Sequence, residues 1–223
     1  MAQDLVLIGD GLYADIAYEY FTHDSDYRVV GFSVERPYLR TPEKFGLPVL
    51  PFDEIDRHFA PATHAFHAAI TYGQLNRLRE RLYRQAKALG YRPASYVSSR
   101  AFVWRNVQMG EHCFIFEDNT VQPFVQIGDN VVLWSGNHIG HHSRIGSHVF
   151  IASHAVISGC CEIADHQFIG VNATIANDVH IGTDCVLGAG ALVGKNLSDN
   201  HIVRGPQCDS SEGARRLFKV REA

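Results

Sequence analysis

Thirteen histidines occur in the 223 residues. The densest run reads Gly136, Asn137, His138, Ile139, Gly140, His141, His142, Ser143, Arg144, with His148 and His154 shortly after. Imidazole titrates near neutrality, so such a run can supply a general base to a nucleophile that must lose a proton, or ligands to a zinc ion. A second candidate lies near the N-terminus, where Gly9, Asp10 and Gly11 form a tight turn between an apolar run and a helical stretch. Glycines at that place let a backbone approach a phosphate at a helix N-terminus. Ala14 stands where a dinucleotide fingerprint often has its third glycine, so the turn is half of that signature. Lys195, Arg204, Arg215, Arg216, Lys219 and Arg221 cluster toward the C-terminus. They could meet a phosphate-bearing ligand, and a solvated basic tail accounts for them equally well.

The elements that must position these residues follow from periodicity. Aliphatic-type side chains recur every six residues without a slip, from Val97 through Ile115, Ile127, Ile139, Ile151, Ile163, Ile175 and Leu187 to Val193. Six fits neither a helix nor an isolated strand and describes short parallel strands wound on a coil, one aliphatic side chain inward per face. Four positions on, mostly small residues recur, among them Cys113, Asn119, Val131, Asn137, Ser143, Ala155, Cys161, Ala173 and Cys185, so the core is specified twice per repeat. His141 falls at the third place of its hexad and His142 at the fourth, facing outward or near a corner.

Before this coil, residues 4–9 read as a buried strand, 13–21 as a helix, 27–32 as a second strand, 47–50 and 65–70 as further strands, and 53–59 and 74–89 as helices. This alternation gives an α/β, Rossmann-like module over residues 1–96, with a parallel β-helix and a C-terminal tail over residues 97–223. About 95 residues hold only half a doubly wound sheet, which argues against a full nicotinamide site.

Composition narrows the function classes. A 46% apolar, 20% charged chain is that of an ordinary globular protein, and a net charge of −4 lacks the basic field of a general nucleic-acid binder. No stretch approaches a membrane span and the start lacks a basic n-region, so the cytoplasm is the expected compartment. Cys113, Cys161 and Cys185 read as core residues, while Cys160 and Cys208 fall outside that register; no Cys-x-x-Cys spacing points to zinc.

The Ile-Gly hexads at Ile127, Ile139, Ile145, Ile169 and Ile181, and the ending GAGALVGK at 188–195, resemble the left-handed parallel β-helix acyltransferases. More narrowly, the chain resembles the bacterial sugar acetyltransferases of the sialic-acid O-acetyltransferase and nucleotide-sugar N-acetyltransferase group. The resemblance implies acetyl-CoA as cosubstrate, no metal, and a homotrimer with active sites between subunits. It implies His141 as the general base; Asn137 or a backbone carbonyl could fix its tautomer, and a neighbouring histidine, His138 or His142, could take over as the base. With eighteen residues per turn, Gly159 stacks on His141 and would offer a backbone amide to the thioester oxygen. Gly170, Asn172, Gly188, Ala189 and Gly190 would line the pantetheine arm and Lys195 would meet a coenzyme A phosphate. Gly9, Asp10, Gly11, Glu35, Thr71 and Tyr72 would contact the nucleotide sugar, and Trp134 would stack on substrate or cover a subunit contact together with Trp104, Phe124 and Phe150.

The chain departs from the group at His142, where a carboxylate normally orients the base, and at Arg204-Gly205-Pro206-Gln207-Cys208. The leading expectation is N-acetylation of a nucleotide-linked amino sugar. The alternatives are sugar O-acetylation, a γ-carbonic-anhydrase-like zinc enzyme built on His138, His141, His142 and His148, and a catalytically decayed sugar-nucleotide-binding protein.

Overall fold

The computed structural model describes residues 2–207; Cys208 and the basic residues Arg215, Arg216, Lys219 and Arg221 lie outside the described residues. An α/β module comes first: β1 (Gln3–Ile8), α1 (Leu12–His23), β2 (Tyr27–Val34), β3 (Glu43–Lys44), β4 (Leu47–Pro51), α2 (Ile55–His58), β5 (His64–Ala68), α3 (Arg77–Ala88) and β6 (Arg92–Pro93). The sheet order is β3-β4-β2-β1-β5-β6, parallel except for the short β3. β1 is the central strand and is buried on both faces, which is why Leu5, Val6, Leu7 and Ile8 form an unbroken apolar run. Helix α3 starts at Arg77 rather than at residue 74, because Gln74, Leu75 and Asn76 all take left-handed φ values of 54°, 51° and 69°. Asn76 is fully buried and donates its amide to the Gln167 carbonyl at 2.8 Å, so this turn is tied to the coil.

From Tyr96 onward, two-residue strands climb in a three-sided parallel β-helix. The first face runs from Tyr96–Val97 to Ile202–Val203, the second from Phe102–Val103 to Leu192–Val193, and the third from Gln108–Met109 to His180–Ile181. Partners are eighteen residues apart, as Ile115 with Leu133 and Ile139 with Ile157 show. The inward column of Ile, Val and Leu interdigitates with Cys113, Ala155, Cys161, Ala173 and Cys185 in one core. Among the polar members of the inner column, Asn137 is satisfied on the coil, whereas Asn119 and Gln167 each leave a side-chain oxygen without a partner. Asn137 accepts from the Ala155 amide at 2.7 Å and donates to the Trp134 carbonyl.

The corners explain the histidine count. Every sixth residue from His112 to Gly190 has φ between 56° and 75°. That left-handed region is open to glycine and, among other residues, most readily to Asn, Asp and His. His112, His142, His148, His154 and His166 all occupy it, so much of the histidine richness is corner chemistry.

The first face carries the α/β module. Tyr13, Tyr20 and Phe21 of α1 pack on Tyr96, Phe114 and Phe116. Trp134 stacks on Phe116 at 4.3 Å and meets Phe150 at 5.8 Å. Trp134 and Phe150 are therefore covered by the chain's own module, which corrects the expectation that other copies cover them or that Trp134 is free to stack on substrate. The second face stays bare: Phe102, Val156 and Leu192 are 53%, 39% and 74% exposed, as are Trp104 and Phe124 near its corners.

Candidate active site

Two separate places gather the chemistry. At the corner between the second and third faces, the His141 backbone amide donates to Gln122 Oε1 at 2.9 Å, which sets the direction of its side chain. The imidazole then lies across Gly159: a β-carbon built on Gly159 would sit 2.7 Å from His141 Cε1 and 2.8 Å from Nε2. The eighteen-residue stacking thus holds, and glycine is required there by the ring. The Gly159 amide is not idle, since it donates to Asn177 Oδ1 at 3.0 Å. This corrects the picture of an unobstructed oxyanion donor. Asn137 spends its side chain inside the coil and does not orient His141. His138 points outward from the second face in register with Thr120 and Val156. The ring that does reach His141 is His142, whose Nδ1 lies 3.1 Å from His141 Nδ1.

The cofactor candidates form a different column. Gly170, Asn172, Gly188, Ala189 and Gly190 stack at the corner between the first and second faces. A β-carbon on Gly170 would come within 2.7 Å of the Ala189 amide, so these small residues are needed by the coil itself. Lys195 is exposed on the loop after Leu192–Val193, at the same corner as His141. In one chain, the second face separates the glycine column from His141.

The second place is a cleft of about 490 Å³ at the carboxyl ends of β1, β2 and β5, lined by Gly9, Asp10, Gly11, Tyr13, Glu35, Tyr38, Ile70, Thr71, Leu78 and Leu82 among others. Gly9 must be glycine twice over: its φ is 119°, and a β-carbon would lie 2.8 Å from the Ala69 carbonyl oxygen. The first intrahelical bonds of α1 run from Ala14 and Asp15 to the Gly11 carbonyl, and no side chain caps the helix. Its first amides therefore open on the cleft, a natural anion cradle. Glu35 accepts two hydrogen bonds of 2.9 Å from Arg81, which hold its carboxyl below the usual range. Tyr72 does not join the lining; its ring packs on Phe150 and Phe168 instead. Arg40 and Lys44 border the glycine turn and were not found from sequence, although loops at the carboxyl ends of parallel strands are where ligands collect. A larger but shallower hollow of about 530 Å³ runs over the third face beside Gln108, Gln126, Arg144, Glu162 and His180. No helix terminus is among its lining residues.

A buried polar network clamps the two modules. Arg79 of α3 is fully buried and donates to the Thr71 carbonyl at 2.7 Å and to Asn130 Oδ1 at 2.9 Å. Arginine is always a donor, so it fixes the Asn130 amide with its oxygen inward. The Ala68 amide donates to His112 Nε2 at 2.7 Å, leaving His112 Nδ1–H for Asn130 Oδ1 at 2.9 Å. Asn130 Nδ2 then donates to His148 Nδ1 at 2.9 Å. The proton of neutral His148 is thereby placed on Nε2, facing Glu80 at 3.4 Å, while His166 Nε2 meets Glu80 at 2.8 Å. Glu80, His148 and His166 cluster closely enough to suggest metal ligands, but His148 needs a lone pair on Nε2 to ligate and the network puts a proton there. His148 thus sits at a corner, as its place in the hexad leads one to expect, but at one buried under α3. Nor does one chain bring His138, His141, His142 and His148 together: they lie on one face and two different corners.

The six-residue register, the eighteen-residue coil and the small inner residues match a known family model over residues 106–141 and 125–159. Residues 106–159 are bacterial transferase hexapeptide repeats. This hexapeptide coil, with its α/β module, superimposes on solved acetyltransferase structures. A histidine-to-asparagine variant of perosamine N-acetyltransferase from Caulobacter crescentus, in complex with CoA and GDP-perosamine, is 23% identical, with a TM-score of 0.82 over 92% of this chain and 95% of that one. The acetyltransferase domain of PglB from Neisseria gonorrhoeae is 22% identical, with a TM-score of 0.82 over 91% and 97%. WeeI from Acinetobacter baumannii is 23% identical, with a TM-score of 0.68 over 92% and 97%. The hexapeptide coil is thus left-handed, as the resemblance implies. A comparison with curated proteins finds no match. Among the described residues no helix is long and apolar enough to cross a membrane.

Proposed function

We propose that the protein transfers an acetyl group from acetyl-CoA to the amine of a nucleotide-linked amino sugar. The observation that carries this reading is the His141 imidazole lying across Gly159 on an exposed corner, in a chain that also holds an anion-ready cleft at β1–α1. His141 Nε2 takes the proton from the attacking amine as its nitrogen bonds to the thioester carbon. The tetrahedral oxygen takes the place of Asn177 Oδ1 on the Gly159 amide. As the carbon–sulfur bond breaks, His141 returns the proton to the departing thiolate.

In this reading the α/β module is a Rossmann-like half-sheet that holds the nucleotide, with the phosphates over Gly9, Asp10 and Gly11 and the ribose or base near Glu35, Tyr38 and Thr71. Module and base lie on opposite sides of one coil, because the first face faces away from the His141 corner. A trimer in which bare second faces meet brings the base of one copy to the glycine column and cleft of the next, and buries Phe102, Val156 and Leu192. The cytoplasm, where acetyl-CoA is made and used, is the fitting compartment.

The test is thiol release from acetyl-CoA with a panel of nucleotide-linked amino and hydroxyl sugars, with products weighed by mass spectrometry. An N-acetyl product from one amino sugar supports the reading. Turnover confined to hydroxyl sugars, or none at all, would reject it.

A further inference from the structure

We propose that His142 positions the base: it accepts the Nδ1 proton of His141 and so keeps the lone pair on His141 Nε2. This rests on His141 being the base of the reading above. The two Nδ1 atoms are 3.1 Å apart, and the rings stand at 85° to one another, so an N–H in the plane of one ring can aim at the nitrogen of the other. Only one proton fits between two such nitrogens. If His141 donates, its Nε2 is unprotonated and able to accept a proton. If His142 donates, His141 carries its proton on Nε2 and cannot act as a base.

Only the first arrangement survives the reaction. Once His141 has taken a proton on Nε2, both of its nitrogens are donors, and His142 must accept. The partner is held for that task. His142 sits at a corner φ of 59°, its amide donates to the Pro123 carbonyl at 3.2 Å, and its ring stacks on Phe124 at 4.6 Å and 25°. Among the described residues neither ring has a carboxylate hydrogen-bond partner. The other titratable side chains around the corner are His138 on the second face, Cys160 and Asp178 next in the corner column, Arg144 and Glu162 at the start of the third face, and, further along the same corner, Arg105 and Lys195. A neutral ring therefore does the orienting, and it does so only while it is itself unprotonated.

Two variants fit the corner. Aspartate is readily accepted at left-handed φ, and phenylalanine already occupies the same column one coil away, at Phe124 with φ of 66°. His142→Phe keeps the stack and removes the acceptor. His142→Asp restores an acceptor and adds a negative charge.

The test reads the His141 tautomer directly, by 15N–1H imidazole correlation in the free protein, and then kcat and KM separately. The expected wild type has His141 Nδ1–H. In His142→Phe the tautomer relaxes to a mixture and kcat falls about 10- to 100-fold with the KM for acetyl-CoA unchanged. In His142→Asp the Nδ1–H tautomer and most of kcat return. A wild-type His141 protonated on Nε2, or a tautomer indifferent to His142→Phe, overturns the proposal. The expected tautomers in a protein that acetylates nothing would uphold the pairing while rejecting the transferase reading.

Discussion

Lowering the pH from 7 to 5 should cost the folded protein on the order of 5 kcal/mol, through three imidazoles buried where the two modules meet. Burial holds His67 and His148 down to about 4, and His112, packed against His67, well below its ordinary value. In the unfolded chain the same rings take up protons as pH falls through about 6.5. Between those values the unfolded state binds more protons, so stability falls with pH. Worked over pH 7 to 5, His67 and His148 each contribute about 2 kcal/mol, and His112, stacked on His67, adds to the loss in the same direction. For Glu80, burial alone would raise the carboxyl; the His166 hydrogen bond and the nearby positive charges outweigh it and leave the carboxyl below its ordinary range. Its contribution is present at pH 5 and is lost only further into acid. Urea unfolding followed by circular dichroism at pH 7 and pH 5 measures the difference. A His148→Gln chain should begin less stable but lose about 2 kcal/mol less over the same interval. Equal wild-type stability at the two pH values, or an undiminished loss in His148→Gln, would refute the reasoning.

Other expectations follow from single contacts. Gly159→Ala should fold with nearly unchanged Tm, because the ring it meets can swing aside, yet kcat should drop about 100-fold or more as His141 leaves its place. Arg79→Ala strands the Thr71 and Asn130 acceptors in the buried clamp and should cost about 3 to 5 kcal/mol by denaturant unfolding, with the α/β module released first in hydrogen exchange. Leu192→Glu on the bare second face should leave the monomer fold intact and lower the mass seen in sedimentation from three chains toward one.

The coil was legible because its rule is local: one inward aliphatic every six residues, kept without a slip, leaves no other winding, and strand pairs such as Ile139 with Ile157 fall where the period puts them. The stacking of His141 on Gly159 followed from the same count. What the period cannot say is which outer face is covered. Trp134 and Phe150 look as free in sequence as Trp104 and Phe124, and only the docking of α1 distinguishes them. The start of α3 was misjudged for a comparable reason. Nothing local in Gln74, Leu75 and Asn76 announces three left-handed residues; the Asn76–Gln167 bond that holds them spans 91 positions. The period puts His148 at a corner but cannot say that the corner is buried, because its partners, Asn130 and Glu80, come from another coil and from another module. His142 was read as the loss of an orienting carboxylate, and its own ring as the replacement emerged only from the 3.1 Å contact.

The most direct test of the account is a single-turnover acetyl transfer with His141→Asn beside wild type, on the amino-sugar nucleotide that the panel identifies, with coenzyme A binding measured by calorimetry. The account predicts that the variant binds coenzyme A as wild type does and transfers acetyl at least about 100-fold more slowly. Transfer at the wild-type rate in that variant would contradict it and move the chemistry away from this corner.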